Sequence, residues 1–168
     1  MKKTLDKKGG WCYTIIKKRK GEQKMKIWFD MDGTIADLYG VNGWLDMLIA
    51  YDETPYAVAK PLVNLNTLAK LIHKAQRNGF EVCIVSALSK NSTPAYDEKV
   101  KTAKMGWLKK HLASVKFDEI RFVPYTFTKN NVNTGNDILF DDEERHLTAW
   151  TGTAVHASKI FQTLKAIA

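Results

Sequence analysis

Short apolar runs that stop abruptly at polar residues recur along the chain. Ile27-Trp28-Phe29 ends at Asp30, and Phe80-Glu81-Val82-Cys83-Ile84-Val85 ends at Ser86. Ile120-Arg121-Phe122-Val123 is closed by Pro124, and Asp137-Ile138-Leu139-Phe140 runs into the pair Asp141-Asp142. Runs of this length and composition predict buried strands, and Thr153-Ala154-Val155-His156 reads as a fifth. Between them, apolar residues return at helical spacing. Leu62, Leu65, Leu68, Leu71 and Ile72 share one face of a helix that ends near Asn78-Gly79. A second helix spans about Asp97 to Leu112, announced by Thr93 as N-cap and Pro94 at the first helical position. A third follows Asp141-Asp142, with Glu143 and Glu144 in its first turn, where the positive end of the helix dipole lies. The last carries Ile160, Phe161, Leu164 and Ile167 behind Ser158 as cap. From Leu38 to Lys60, helical spacing at Trp44, Leu45, Leu48 and Ile49 predicts a small insertion of one or two helices over the end of the first strand. Its aromatics Tyr39, Tyr51 and Tyr56 read either as the core of that insertion or as substrate contacts.

Strands alternating with helices predict an α/β fold: a parallel sheet of about five strands with helices on both faces. Such sheets bind ligands beyond the carboxyl ends of their strands. That edge collects Asp30 and Asp32, Ser86, the polar loop 125–136, and Asp141 with Asp142. Asp30 and Asp32 are separated by one residue, and Gly33-Thr34 turns the chain away from the strand. Carboxylates this close repel unless a cation or a shared proton offsets them, and hard oxygen ligands favour Mg2+. Each element also has a plainer reading: Asp-Gly as a turn, Asp141-Asp142 as a helix N-cap, Ser86 as a turn residue.

Charge changes the picture only once it is located. Of 168 residues, 26 are basic and 18 acidic, a net charge of +8. Residues 1–26 hold ten of the basic residues and two of the acids, so the whole excess lies there and the rest of the chain is neutral. Residues 1–24 therefore read as a basic leader outside a single domain of 25–168, in which 37–60 is the insertion. Either the leader is a disordered arm that touches phosphate backbones or an acidic surface, or Met25 is the natural start. Met25-Lys-Ile-Trp-Phe-Asp opens directly on the first strand, and Lys20 to Lys24 would be coded by a purine-rich stretch like a bacterial ribosome-binding site. The leader's apolar run, Trp11 to Ile16, is too short and too flanked by lysine for a signal peptide, and no later run is long enough to cross a bilayer. Cys12 and Cys83 give neither a disulfide framework nor metal-ligand spacing, so a reducing, cytoplasmic setting is expected. His73, His111, His146 and His156 show no metal-type spacing and read as structural or exposed.

The order strand-Asp30-Met-Asp32-Gly33-Thr34, strand-Ser86, a lysine, and strand-Asp141-Asp142 resembles the haloacid dehalogenase-like (HAD) phosphohydrolases from Met25 to near the chain end. Val85 to Lys90, Lys104-x-x-Trp107-Leu108 and Asp137 to Asp142 are similar, more loosely, to the 5'(3')-deoxyribonucleotidase branch. The resemblance implies a Rossmannoid three-layer fold with a small helical cap, and a Mg2+-dependent phosphomonoesterase working through an aspartyl-phosphate. By that pattern Asp30 is the nucleophile and Asp32 the general acid and base. Mg2+ lies among Asp30, the Asp32 carbonyl, Asp142 as direct ligand and Asp141 behind it. Ser86 and a lysine bind phosphate; Lys129 is the first candidate, Lys90 assists, and Lys104 comes third. The implied substrate is a small phosphorylated molecule, a nucleoside monophosphate by the closer resemblance. Alternatives are a sugar phosphate, a nucleic-acid end approached through the basic leader, and a non-catalytic binding protein on the same fold.

Overall fold

The computed structural model describes residues 24–167, together with the backbone of Lys2–Leu5 (β1) and Trp11–Thr14 (β2), which pair antiparallel. The leader expectation falls largely on residues outside the described ones, as does the side chain of Cys12. In chain order, β3 (Lys26–Phe29) leads through a short ladder strand β4 (Ala36–Asp37), helices α1 (Trp44–Ile49) and α2 (Thr54–Val58), and the returning β5 (Lys60–Pro61) to α3 (Leu65–Arg77). There follow β6 (Glu81–Ala87), α4 (Pro94–His111), β7 (Glu119–Val123), a 3-10 turn at Lys129–Val132, β8 (Ile138–Asp141), α5 (Glu144–Ala149), β9 (Thr153–His156) and α6 (Ile160–Ile167).

Five of these strands make one parallel sheet in the order β7-β6-β3-β8-β9. The central strand β3 is covered on both faces, which is why it reads as an unbroken apolar run rather than an alternating one. Ile27 and Phe29 face a core built with Leu68 and Ile72 of α3, Trp107 and Leu108 of α4, and Ile160 and Leu164 of α6. Trp28 faces the other way, against Cys83, Val85, Leu139 and Trp150. Phe29 stacks on Phe140 of the neighbouring strand, ring centroids 4.9 Å apart. The predicted α/β architecture, with its parallel five-stranded sheet and short helical insertion, is the one observed.

Two boundaries differ from the sequence reading for local reasons. Leu62 is not on the helix face; its N–H continues the β5 ladder to the Ile35 carbonyl at 3.0 Å, and its side chain is exposed. The helix starts three residues later, capped by the Asn64 side chain, which accepts from the Thr67 N–H at 3.0 Å. Near the C-terminus, a 3-10 turn at Ala157–Lys159 precedes α6, and the His156 ring rather than Ser158 accepts the exposed N–H, that of Ser158, at 3.2 Å. Thr93 behaves as predicted: its hydroxyl accepts from Tyr96 N–H at 3.2 Å, and Pro94 opens α4.

At the amino edge of the sheet, Asp137 ties β3 to the start of β8. Its buried carboxylate accepts from Lys26 N–H (2.9 Å), Trp28 Nε1 (3.3 Å), and both the N–H and hydroxyl of Thr134 (2.9 Å each). Removing it strands several buried donors at once. Asp137→Ala is expected to cost about 3 kcal/mol of stability, read as a lowered denaturant midpoint with an unchanged m-value.

Candidate active site

Each strand of a parallel sheet delivers its next residue to the same edge, and here register does the assembly. Phe29 lies opposite Ile84 and Phe140, so Asp30 emerges beside the residues that follow those two. The Asp30 N–H bonds to the Phe140 carbonyl at 2.9 Å and fixes the exit of the chain. A tight turn follows, in which the N–H groups of Thr34, Ile35 and Ala36 all point to the Met31 carbonyl at 2.8–3.2 Å. Gly33 within it has φ +77°, and a Cβ there would meet Asp142 Oδ2 at 2.2 Å and the Tyr39 ring at 2.8 Å. Only glycine serves both the backbone conformation and the contact.

The structure brings Asp30, Asp32, Ser86, Lys129, Asp141 and Asp142 together, and adds Lys104. Lys129, on the 3-10 turn after β7, places Nζ 2.7 Å from Asp30 Oδ1 and 2.7 Å from Asp141 Oδ2. The other Asp141 oxygen accepts from Glu143 N–H at 2.9 Å. Thr34 Oγ1 lies 3.1 Å from Asp142 Oδ1 and 3.4 Å from Asp30 Oδ2, linking the two acids. Lys104, entering from α4, donates to Asp32 Oδ2 (2.5 Å), Ser86 Oγ (2.8 Å) and the Ala87 carbonyl (2.6 Å). Lys90, expected to assist at the phosphate, is exposed instead and does not join the cluster. It sits three residues beyond β6, where the loop has already turned outward, whereas Lys104 reaches the site because it occupies the buried stripe of a helix.

Charge balance decides what the site accepts. Burial, then the charge of Asp30, pushes Asp141 up to about 7 and Asp142 up to about 6. Asp32 is raised as well, by burial first, with Lys104 pulling the other way. Burial disfavours the Lys129 ammonium, but Asp30 and Asp141 outweigh it and hold that lysine above its ordinary value. Four carboxyl groups face two ammonium groups, an excess of two negative charges when all are ionised. Oxygens of Asp30, Asp141 and Asp142 lie within 4.8 Å of one another, an all-oxygen set that fits a divalent hard cation.

The insertion forms the rim. Tyr56, Leu38 and Leu48 are its core, packed with Leu88, Tyr96 and Val100. Tyr39 and Tyr51 are about half exposed. The Tyr39 ring lies over Gly33 and edge-on to Trp44, centroids 5.1 Å apart, while Tyr51 packs edge-on to Tyr96 at 5.4 Å. Burial, then Asp142 and Asp32, hold the Tyr39 hydroxyl protonated well above its ordinary range.

Sequence reasoning put Lys104 third among the candidate lysines, without its contact to Asp32, and missed the bridging role of Thr34. The signal for the first was a lysine in register with Val100, Trp107 and Leu108 on one helical face. Of the histidines, His146 is buried among the site's supports, 3.8 Å from Glu143, with Nε2 lacking a hydrogen-bond partner. Among the described residues no helix is long and apolar enough to cross a membrane.

No protein-family model matches the chain, and no curated protein matches it. Among solved structures the chain is similar to the D,D-heptose 1,7-bisphosphate phosphatase from Burkholderia thailandensis. That likeness has a TM-score of 0.47 and 15% identity, over 82% of this chain and 74% of that one.

Burial, then Lys129 and Arg145, pushes the His146 imidazole down to about 4 from an ordinary 6.5. Between those values the unfolded chain takes up a proton that the folded chain refuses, so this group removes stability as pH falls. The raised carboxyls work in the opposite sense, so the comparison is between wild type and His146→Gln. Wild type is expected to lose more of its denaturant midpoint than the variant between pH 6.5 and pH 4; parallel curves would refute this.

Proposed function

We propose that the chain is a Mg2+-dependent phosphomonoester hydrolase of the HAD type, acting through an aspartyl-phosphate on Asp30. The observation that carries this reading is the pairing of two acids, one residue apart, with two different buried lysines. Asp30 rests on Lys129 and Asp32 on Lys104, with Ser86, Asp141 and Asp142 around them. A structural turn has no use for four carboxyls gathered around two buried lysines, because taking such charges out of water is costly.

An oxygen of Asp30 attacks phosphorus as the bond to the leaving oxygen breaks, and the Asp32 carboxyl gives that oxygen its proton. Asp32, now a carboxylate, takes a proton from water as the water oxygen attacks phosphorus. The bond from phosphorus to Asp30 breaks, releasing inorganic phosphate and restoring Asp30. Lys129 orients Asp30, and its remaining proton is available to the phosphoryl oxygens. Ser86 accepts from Lys104, which turns its own hydroxyl proton outward as a donor. Asp30 and Asp142 would hold Mg2+, with the Asp32 carbonyl, while Asp141, whose two oxygens are engaged by Lys129 and Glu143, stands behind them. Bound there, the ion supplies charge neutralisation at the phosphate.

The proposed substrate is a nucleoside monophosphate. What supports this is the half-exposed Tyr39 ring, edge-on to Trp44 and beside the acids, which offers a flat apolar platform one group away from the phosphate position.

The test is phosphate release by the purified full chain with and without Mg2+, over deoxy- and ribonucleoside 5'- and 3'-monophosphates, a sugar phosphate and a 3'-phosphorylated oligonucleotide. Mg2+-dependent release from nucleotides is expected, with Asp30→Asn lowering turnover by on the order of 10³-fold or more and Lys129→Ala by on the order of 10²-fold. Release confined to the sugar phosphate or the oligonucleotide would overturn the substrate. Silence on every substrate would overturn the hydrolase.

A further inference from the structure

We infer that Lys104 is a positioning residue for Asp32, and that the two buried lysines divide the site, Lys129 serving the nucleophile and Lys104 the acid. This rests on the hydrolase reading above and deepens it.

A lysine ammonium has three protons and nothing to accept with. All three protons of Lys104 are engaged within the protein, on Asp32 Oδ2, Ser86 Oγ and the Ala87 carbonyl. The remaining side of the ammonium is covered by the Tyr56 ring, whose centroid lies 4.6 Å away. The side chain is fully buried, with 0% exposure. Lys104 therefore has no proton and no open face for a phosphate. Lys129 is as deeply buried and differs in its protons: two go to Asp30 and Asp141, and one is left.

What Lys104 does instead is hold one oxygen of Asp32. With Oδ2 pinned, Oδ1 is the oxygen that meets the leaving group. The same ammonium fixes Ser86 Oγ, so acid and phosphate donor are set from one point. The insertion reaches this point too. Tyr56 of α2 lies on the ammonium, and α2 is fastened to α4 at both ends. Tyr96 donates to the Asp52 carbonyl at 3.0 Å, and Trp107 Nε1 donates to the Ala59 carbonyl at 2.7 Å.

The two assignments differ in how they depend on the leaving group. A general acid matters when the departing oxygen needs a proton, as an alkoxide does, and matters little when it is already stable, as p-nitrophenolate is. A phosphate-binding lysine acts on the phosphoryl oxygens and affects both substrates alike.

Turnover is measured for wild type, Lys104→Met, Asp32→Asn and the double variant, on p-nitrophenyl phosphate and on an alkyl phosphate that wild type hydrolyses. Lys104→Met is expected to lower kcat by on the order of 10²-fold on the alkyl substrate and by less than about 10-fold on the aryl one. KM should stay within about 3-fold, since Ser86 itself is retained and Lys129 is untouched. In the Asp32→Asn background, the lysine change should no longer distinguish the two substrates, leaving only the loss of less than about 10-fold on both that comes from freeing Ser86. That last comparison stands even if Lys104→Met alone fails to fold, because the double variant leaves no unpaired buried carboxylate. Equal losses on both substrates with a raised KM, or a further loss on the order of 10²-fold on the alkyl substrate in the double variant, would overturn the inference and leave the hydrolase standing. No turnover by wild type on either substrate would remove both.

Discussion

A charge taken out of water must find an opposite charge or a dense set of hydrogen bonds, and at the carboxyl edge of this sheet that requirement governs nearly every choice of residue. Asp30 and Asp32 are forced together by the one residue between them. The fold answers with lysines from two unrelated places, a 3-10 turn beyond β7 and the middle of α4. Asp141 and Asp142 then bring more negative charge than the lysines offset. Each lysine faces carboxylates, and the acids outnumber the lysines by two.

This charge arrangement depends on the scaffold below it. The central strand puts Ile27 and Phe29 into one core and Trp28 into the other, so β3 cannot slide without exposing one set or the other. Asp137 holds the opposite end of the same strand through the Lys26 N–H and the Trp28 indole. A shift of one residue would bury Met31 where Asp30 now stands. Register in the sheet and placement of the acids are the same constraint seen from two ends.

Much of this was legible in the residues alone. Apolar runs ending in polar residues mark strands because a fully covered parallel strand has no solvent face to alternate with, and all five were located to within a few residues. The convergence of Asp30, Asp32, Ser86, Lys129 and the Asp141-Asp142 pair also followed, since parallel strands share one edge. Of the three candidate lysines, Lys129 and Lys104 reach the site and Lys90 does not. Proximity in sequence to Ser86 favoured Lys90, but a loop that has left the sheet carries its lysine outward. Lys104 stands 18 residues from Ser86 and touches it, because α4 folds back over β6. A lysine sharing a helical face with Val100, Trp107 and Leu108 has either a buried partner or no stable place, and that argument needs no coordinates. Leu62 shows the converse limit: its spacing fitted the helix, yet the ladder hydrogen bond to Ile35 claimed its backbone first.

The attachment of α2 to α4 at Asp52 and Ala59 has a consequence for what can enter. A rim segment hinged at one end can swing, and its enzyme then admits large molecules when open and shields them when closed. A segment fastened at both ends moves only by giving up both fastenings, here the Tyr96 bond to Asp52 and the Trp107 bond to Ala59, and with them the seat of the Tyr56 ring on Lys104.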